Sequence, residues 1–92
     1  MIMSFACKNT EQLFMKGHNR RFNAIARPAL RRLSILNAAV SVEELRVPPG
    51  NRLEALYDDR AGQHSIRVND QWRICFIWKD GHAHDVAIVD YH

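Results

Sequence analysis

The run WRICFIWKDGHAHDVAIVDY, residues 72–91, decides the fold. Two stretches rich in β-branched and aromatic residues flank KDG (79–81), a strong hairpin signal because Gly supplies the positive φ that a tight strand reversal needs. In WRICFIW, Trp72, Ile74, Phe76 and Trp78 fall on one face, and Arg73, Cys75 and Ile77 on the other. Both faces are largely apolar, which predicts a central strand. In the second arm Val86, Ile88 and Asp90 share a face, and Ala87, Val89 and Tyr91 share the other. A hairpin closed at KDG pairs the end of the second arm with the start of the first. Asp90, Tyr91 and His92 are therefore expected close to Arg73.

Upstream, the apolar runs RLEAL (52–56) and HSIRV (64–68) are separated from each other by DDRAG (58–62) and from residue 72 by NDQ (69–71). These predict the rest of an antiparallel meander. The first half of the chain is different. Thr10 is placed to cap a short helix over EQLFMK, anchored by Leu13 and Phe14 and stopped at Gly17. Leu30, Leu33, Ile35 and Leu36 recur at helical spacing from about Pro28 to Ala39, with Arg31 and Arg32 on the other side. Ala24 and Ile25 extend this helix backward, with Pro28 at a kink or a new first turn. Ser41 and Glu44 have capping-box spacing, and PPG (48–50) ends helical structure. IMSFA (2–6) alternates like a strand and can join one edge of the sheet. The expected fold is α+β: N-terminal helices packed on a three- to five-stranded, mainly antiparallel sheet.

Ninety-two residues suit one domain, 1–92, with a single modest core. No apolar run approaches the roughly 20 residues that span a bilayer, and MIMSFACKNTEQ has no basic segment leading into a long apolar one, so no signal peptide is expected. The expected location is the cytoplasm. Cys7 and Cys75 then read as buried free thiols. The net charge of +3 is unevenly spread: residues 1–46 hold eight basic residues against three acids, and residues 47–92 hold five against seven. The segment 16–32 has six basic residues and no acid, including Arg20, Arg21, Arg27, Arg31 and Arg32. It is either a solvated helix face or a surface for an anionic partner.

A few side chains carry chemistry. An Arg in a central strand needs an anion, because burying its charge unpaired is costly. Arg73 therefore lies under a carboxylate or lines a cleft that holds an anion. Arg67 alternates with Ile66 and Val68 and leaves the core face. His, Asp, Tyr and Arg together suit phosphodiester cleavage in RNA, where a base takes the 2′-hydroxyl proton, an acid protonates the leaving 5′-oxygen, and cations stabilise the phosphorane. A structural Asp90–Arg73 ion pair explains the same residues without catalysis. His82 and His84 form an H-x-H pair at a turn, but no Cys pair stands at ligand spacing, so no metal or other cofactor is expected.

PPGNRLEAL (48–56), DRAGQHSIRVNDQWRICF (59–76) and VDYH (89–92) resemble the HigB branch of the RelE/ParE superfamily of type II toxin–antitoxin toxins. The resemblance covers nearly the whole chain. It implies a toxin that inhibits translation as a ribosome-dependent, metal-independent endoribonuclease, cleaving mRNA in the A site of the 30S subunit. It implies a HigA-like helix-turn-helix antitoxin, a free monomer, and a hetero-oligomer with that antitoxin. Carried over by position, Asp90, Tyr91 and His92 match the family's terminal catalytic residues, and Arg73 takes the transition-state role. Arg67 falls near a further basic site residue, and the basic N-terminal segment suits rRNA phosphates. One departure stands out. The resemblance places Tyr57 where some relatives carry a Lys that contributes to catalysis, which shifts phosphate stabilisation toward Arg73, Arg60 and Arg52. Two other functions compete: a non-catalytic ParE-like toxin that poisons DNA gyrase, and an interaction module whose basic helix docks an acidic partner.

Overall fold

The computed structural model describes residues 1–56 and 62–90. Its elements run α1 (Lys8–Lys16), a 3-10 turn (Asn23–Ile25), α2 (Ala26–Ala38), 3-10 turns over Val42–Arg46 and Pro49–Asn51, then strands β1 (Glu54–Ala55), β2 (Gln63–Arg67), β3 (Trp72–Lys79) and β4 (His82–Asp90). The four strands form one antiparallel sheet in the order β1-β2-β3-β4. This is the expected α+β arrangement, with β3 interior. No helix among the described residues is long and apolar enough to cross a membrane.

Local chemistry explains most of these elements. Gly17 takes φ +82° and donates to the Leu13 carbonyl at 2.8 Å, closing α1 in a left-handed cap. Pro28 sits within the first turn of α2, after the 3-10 turn that Ala24 and Ile25 help form. Ser41 and Glu44 complete a capping box, with the Ser41 N–H donating to Glu44 Oε2 at 2.7 Å. Asp80 (φ +54°) and Gly81 (φ +81°) make a two-residue turn between the paired Lys79 and His82. Positive φ at both positions matches the right-handed twist of the strands it joins. Asn69 Oδ1 accepts from the Gln71 and Trp72 N–H groups at 2.8 Å each and shapes the β2–β3 turn.

The helices cover one face of the sheet. Leu13, Phe22, Ala29, Leu33 and Leu36 pack with Ile66, Ile74, Phe76, Val86 and Ile88 in one buried cluster. Each large side chain removed from water here contributes about 1.5–3 kcal/mol. Residues 2–6 lie parallel to β4, bridging at Ile2–Ala83 and Phe5–Val86, so the N-terminal segment does join an edge of the sheet.

Four details depart from the sequence expectation. RLEAL forms a strand only at Glu54–Ala55. Helical structure resumes after Pro48, in the Pro49–Asn51 turn. Cys7 is only partly buried, while Cys75 is buried. Thr10 is not a cap: α1 begins at Lys8 behind Cys7, and Thr10 lies inside it, fully buried, its hydroxyl accepting the Ile88 N–H at 3.0 Å. A β4 donor left unpaired beside the bound N-terminal segment needs an acceptor, and the helix supplies one.

A fifth feature governs register. From Lys79–His82 to Ile77–His84 the pairing follows the tight turn, but from Cys75–Ala87 to Trp72–Asp90 it is shifted by one. Asp85 and Val86 together oppose Phe76, a bulge with Asp85 at φ +51°. The Asp85 N–H donates to Ser4 Oγ at 2.9 Å and the Val86 N–H to the Ser4 carbonyl at 3.0 Å.

The Thr10–Ile88 bond gives a direct test. Thr10→Val keeps the shape but leaves the Ile88 N–H buried and unpaired, and is expected to cost about 1–3 kcal/mol. Urea unfolding should show a lower midpoint at unchanged slope, and Thr10→Ser should recover most of the loss.

Candidate functional site

Arg73 anchors the second face of the sheet, away from the helices. It pairs across the ladder with Arg67 on one side and Val89 on the other. The residue is 8% exposed. Nε donates to Ser65 Oγ at 2.8 Å, and one terminal nitrogen donates to the Arg52 carbonyl at 2.5 Å and the Ser65 carbonyl at 3.3 Å. The other terminal nitrogen lies 3.9 Å from Glu54 Oε1, whose side chain is half exposed. Glu54, at the rim, is thus one carboxylate that faces Arg73, and neutral oxygens also surround the cation. Arg52 presents its carbonyl because its own backbone is left-handed, φ +45°. Only the backbone of Arg52 serves Arg73; its side chain is exposed. Arg67 is partly buried and paired with Asp70 in the adjoining turn.

Asp90 lies where the hairpin register predicts, next to Arg73 in the ladder, but opposite Trp72 rather than Arg73. Successive side chains alternate, so Asp90 and Trp72 leave on the helix side while Arg73 leaves on the other. Asp90 is exposed, and Gln71 Nε2 donates to its Oδ2 at 3.2 Å. Tyr57, Arg60, Tyr91 and His92 lie outside the described residues. Of the basic segment, Arg20, Arg21, Arg27 and Arg31 are exposed and Arg32 is partly buried, its Nε donating to the Arg67 carbonyl at 3.2 Å. Arg21 stands apart from the others, its guanidinium 6.0 Å from the ring centre of Trp72 and 5.7 Å from that of Phe22.

Sequence reasoning missed Ser65, Glu54, Gln71 and Trp72 as site residues. Ser65 is a small polar residue two positions from Arg67 in a strand, QHSIR, that is mostly polar, so its sequence gives little hint of a buried acceptor. Glu54 becomes relevant through its pairing with Ser65.

Two groups near these elements have displaced pKa values. Burial pushes the Cys7 thiol up, but hydrogen bonding at Thr10 and Asn9 and the Arg21 charge outweigh it and leave the thiol below its ordinary value. His64 is lowered, chiefly by burial against Phe76, with Glu43 opposing and Arg46 reinforcing the shift. Its Nδ1 is buried without a hydrogen-bond partner among the described residues. Among the described residues no group of three His, Cys, Asp or Glu is placed to hold a metal ion.

Residues 3–92 match the sequence model of the HigB-like toxins, described as RelE-like toxins of the type II toxin–antitoxin system HigB. The chain belongs to the HigB-like toxin family. Toxin HigB-1 of Vibrio cholerae serotype O1 (strain ATCC 39315 / El Tor Inaba N16961) is 41% identical over 85 residues, 90% of either chain. The Endoribonuclease HigB of Proteus vulgaris is 34% identical over 93 residues, covering both chains in full. The resemblance read from PPGNRLEAL, QWRICF and VDYH is thereby shown, and with it the class: a toxin of a type II toxin–antitoxin system, which implies an antitoxin as partner.

The half-buried imidazole of His64 sets a pH dependence. Unfolded His64 titrates near its ordinary value of 6.5, and the folded chain binds that proton less readily. Stability is therefore expected to fall as pH drops below about 6.5 and to level off below the lowered folded value. Urea midpoints between pH 7.5 and 5 should show this decline, and His64→Phe should flatten it.

Proposed function

We propose that this toxin is an endoribonuclease that cleaves mRNA in the ribosomal A site and so inhibits translation. The observation that carries the proposal is the full-length similarity to the relative named Endoribonuclease HigB. The residue set is consistent with it. A general base takes the proton of a 2′-hydroxyl, the 2′-oxygen attacks the adjacent phosphorus, and a general acid protonates the departing 5′-oxygen. Asp90 and His92 form the proton-transferring pair, and Tyr91 completes the terminal set by stacking or donating a hydrogen bond.

Arg73, which leaves the sheet on the face opposite Asp90, is the transition-state cation that the family resemblance implies, reaching the phosphorane at the end of the β3–β4 pair; Ser65 and the Arg52 carbonyl hold it in place. Arg67, Arg60 and Arg52 add phosphate contacts, with Tyr57 in place of a cation. No metal is required, because the acid, the base and the cations are all side chains. The ribosome fixes the 2′-hydroxyl in line with the phosphate, which replaces catalytic groups the chain lacks. Arg20, Arg27, Arg31 and Arg32 contact rRNA phosphates, an interaction that weakens with salt. The antitoxin is a HigA-like helix-turn-helix protein, and the toxin acts in the cytoplasm as a single domain.

Programmed ribosomes test the proposal. Wild-type protein should cleave ribosome-bound mRNA and spare the same mRNA alone, and EDTA at concentrations that spare the ribosome should leave the rate unchanged. His92→Ala and Asp90→Asn should each slow single-turnover cleavage about 10²–10⁴-fold. A folded wild-type protein that does not cleave removes the proposal and directs attention to DNA gyrase.

A further inference from the structure

The turn between α1 and the 3-10 segment is unusually well fixed for one that carries exposed charge. Asn19 is 5% exposed, and its Oδ1 accepts the N–H groups of Arg21 at 2.9 Å and Phe22 at 3.3 Å. Its Nδ2 donates to Asn9 Oδ1 at 3.1 Å and Gln12 Oε1 at 2.7 Å, tying the turn to α1. Phe22 is buried and meets Trp72 edge-on, with centroids 5.5 Å apart at 85°. The Arg21 guanidinium rests over both rings, which limits the conformations of an otherwise mobile side chain.

The partners of the other oriented cations separate Arg21 from them: Arg32 is tied by its Nε to the Arg67 carbonyl at 3.2 Å, and the rest face carboxylates. Arg46 is paired with Glu43, Arg67 with Asp70, and Arg73 faces Glu54. No ion pair involves Arg21 among the described residues. The shelf under it is Trp72, the cross-strand neighbour of Asp90, and such neighbours have Cβ atoms roughly 4.5–5.5 Å apart. Arg73 leaves the opposite face, so among the described residues Arg21 is a cation held on Asp90's own side, over the ring of Asp90's cross-strand neighbour. A planar guanidinium held on an aromatic shelf, with its N–H fork uncommitted to a carboxylate, suits a phosphate.

We infer that Arg21 is a substrate-binding residue of the cleavage site, holding a backbone phosphate of the mRNA next to the scissile one, rather than one of the rRNA contacts of the basic segment. The inference rests on the endoribonuclease function proposed above. Arg21 grips the strand on one side of Asp90 and so fixes the nucleotide whose 2′-hydroxyl reacts.

Single-turnover cleavage at saturating ribosome separates the two roles. Arg21→Gln should lower the saturating rate about 10–100-fold, the worth of one charge-assisted hydrogen bond, and Arg21→Lys should fall between it and wild type. An mRNA with a methylphosphonate at one flanking position should slow wild type to a similar degree, and Arg21→Gln should lose nothing more on that mRNA. Unchanged saturating rates, or a loss confined to the half-saturating concentration, would make Arg21 an rRNA contact and overturn the inference. So would methylphosphonate effects that add to the variant's at every position tested. The wild-type arm does not depend on the variant folding. A folded wild type that fails to cleave unmodified mRNA defeats the endoribonuclease function and this inference together, an outcome distinct from a normal wild type with an indifferent Arg21.

Discussion

One extra residue in β4 fixes the placement of everything beyond it. If the ladder continued from Ile77–His84 without the bulge, Val86 would face Cys75 and Ile88 would face Arg73. A one-residue slip transfers every side chain to the other face, so two buried aliphatic residues would leave the core and Ala87 and Val89 would replace them. Asp90 would move away from Trp72 as well. The left-handed backbone of Asp85 makes the extra residue possible. Ser4 secures it by binding both bulge N–H groups. The first residues of the chain thus hold the register on which the last strand's charged end depends.

The two faces of the sheet solve the problem of charge in different ways. On the second face Arg73 is desolvated, and among the described residues its partners include a hydroxyl, two carbonyls and a rim carboxylate. Charge so enclosed is costly to leave unpaired, which explains why a left-handed Arg52 is tolerated in order to aim a carbonyl at it. On the helix side Arg21 remains in water, restrained by aromatic rings rather than by oxygens. A cation of the first kind organises the protein around itself, and one of the second kind is presented outward.

Much of this was legible in the sequence. The stop at Gly17, the Ser41–Glu44 capping box, the reversal at Asp80–Gly81 and the two faces of β3 all follow from contacts within a few residues, where local chemistry dominates. What escaped depends on distant groups. Thr10 reads as a cap, yet its hydroxyl serves an N–H 78 positions away. The bulge at Asp85 carries no glycine, and HAHDVAIV accommodates either register by composition. Arg73 could be flagged as needing partners, but Ser65 and the Arg52 carbonyl are chosen by strand pairing and by a backbone conformation that no residue type announces. For the terminal Asp-Tyr-His the composition pointed only weakly to catalysis and left a structural Asp90–Arg73 ion pair open. The role proposed for those residues rests on the resemblance to known toxins.

The N-terminal segment has a consequence for how the chain meets other chains. A sheet edge with unpaired amides is a template on which a second polypeptide can add a strand. Here β1, at one edge, is two residues long and carries Glu54, and the other side of β4 is occupied by residues 2–6 of the same molecule. Among the described residues neither border offers a long, straight ladder. Copies of this protein are thereby discouraged from zipping together edge to edge along these two borders.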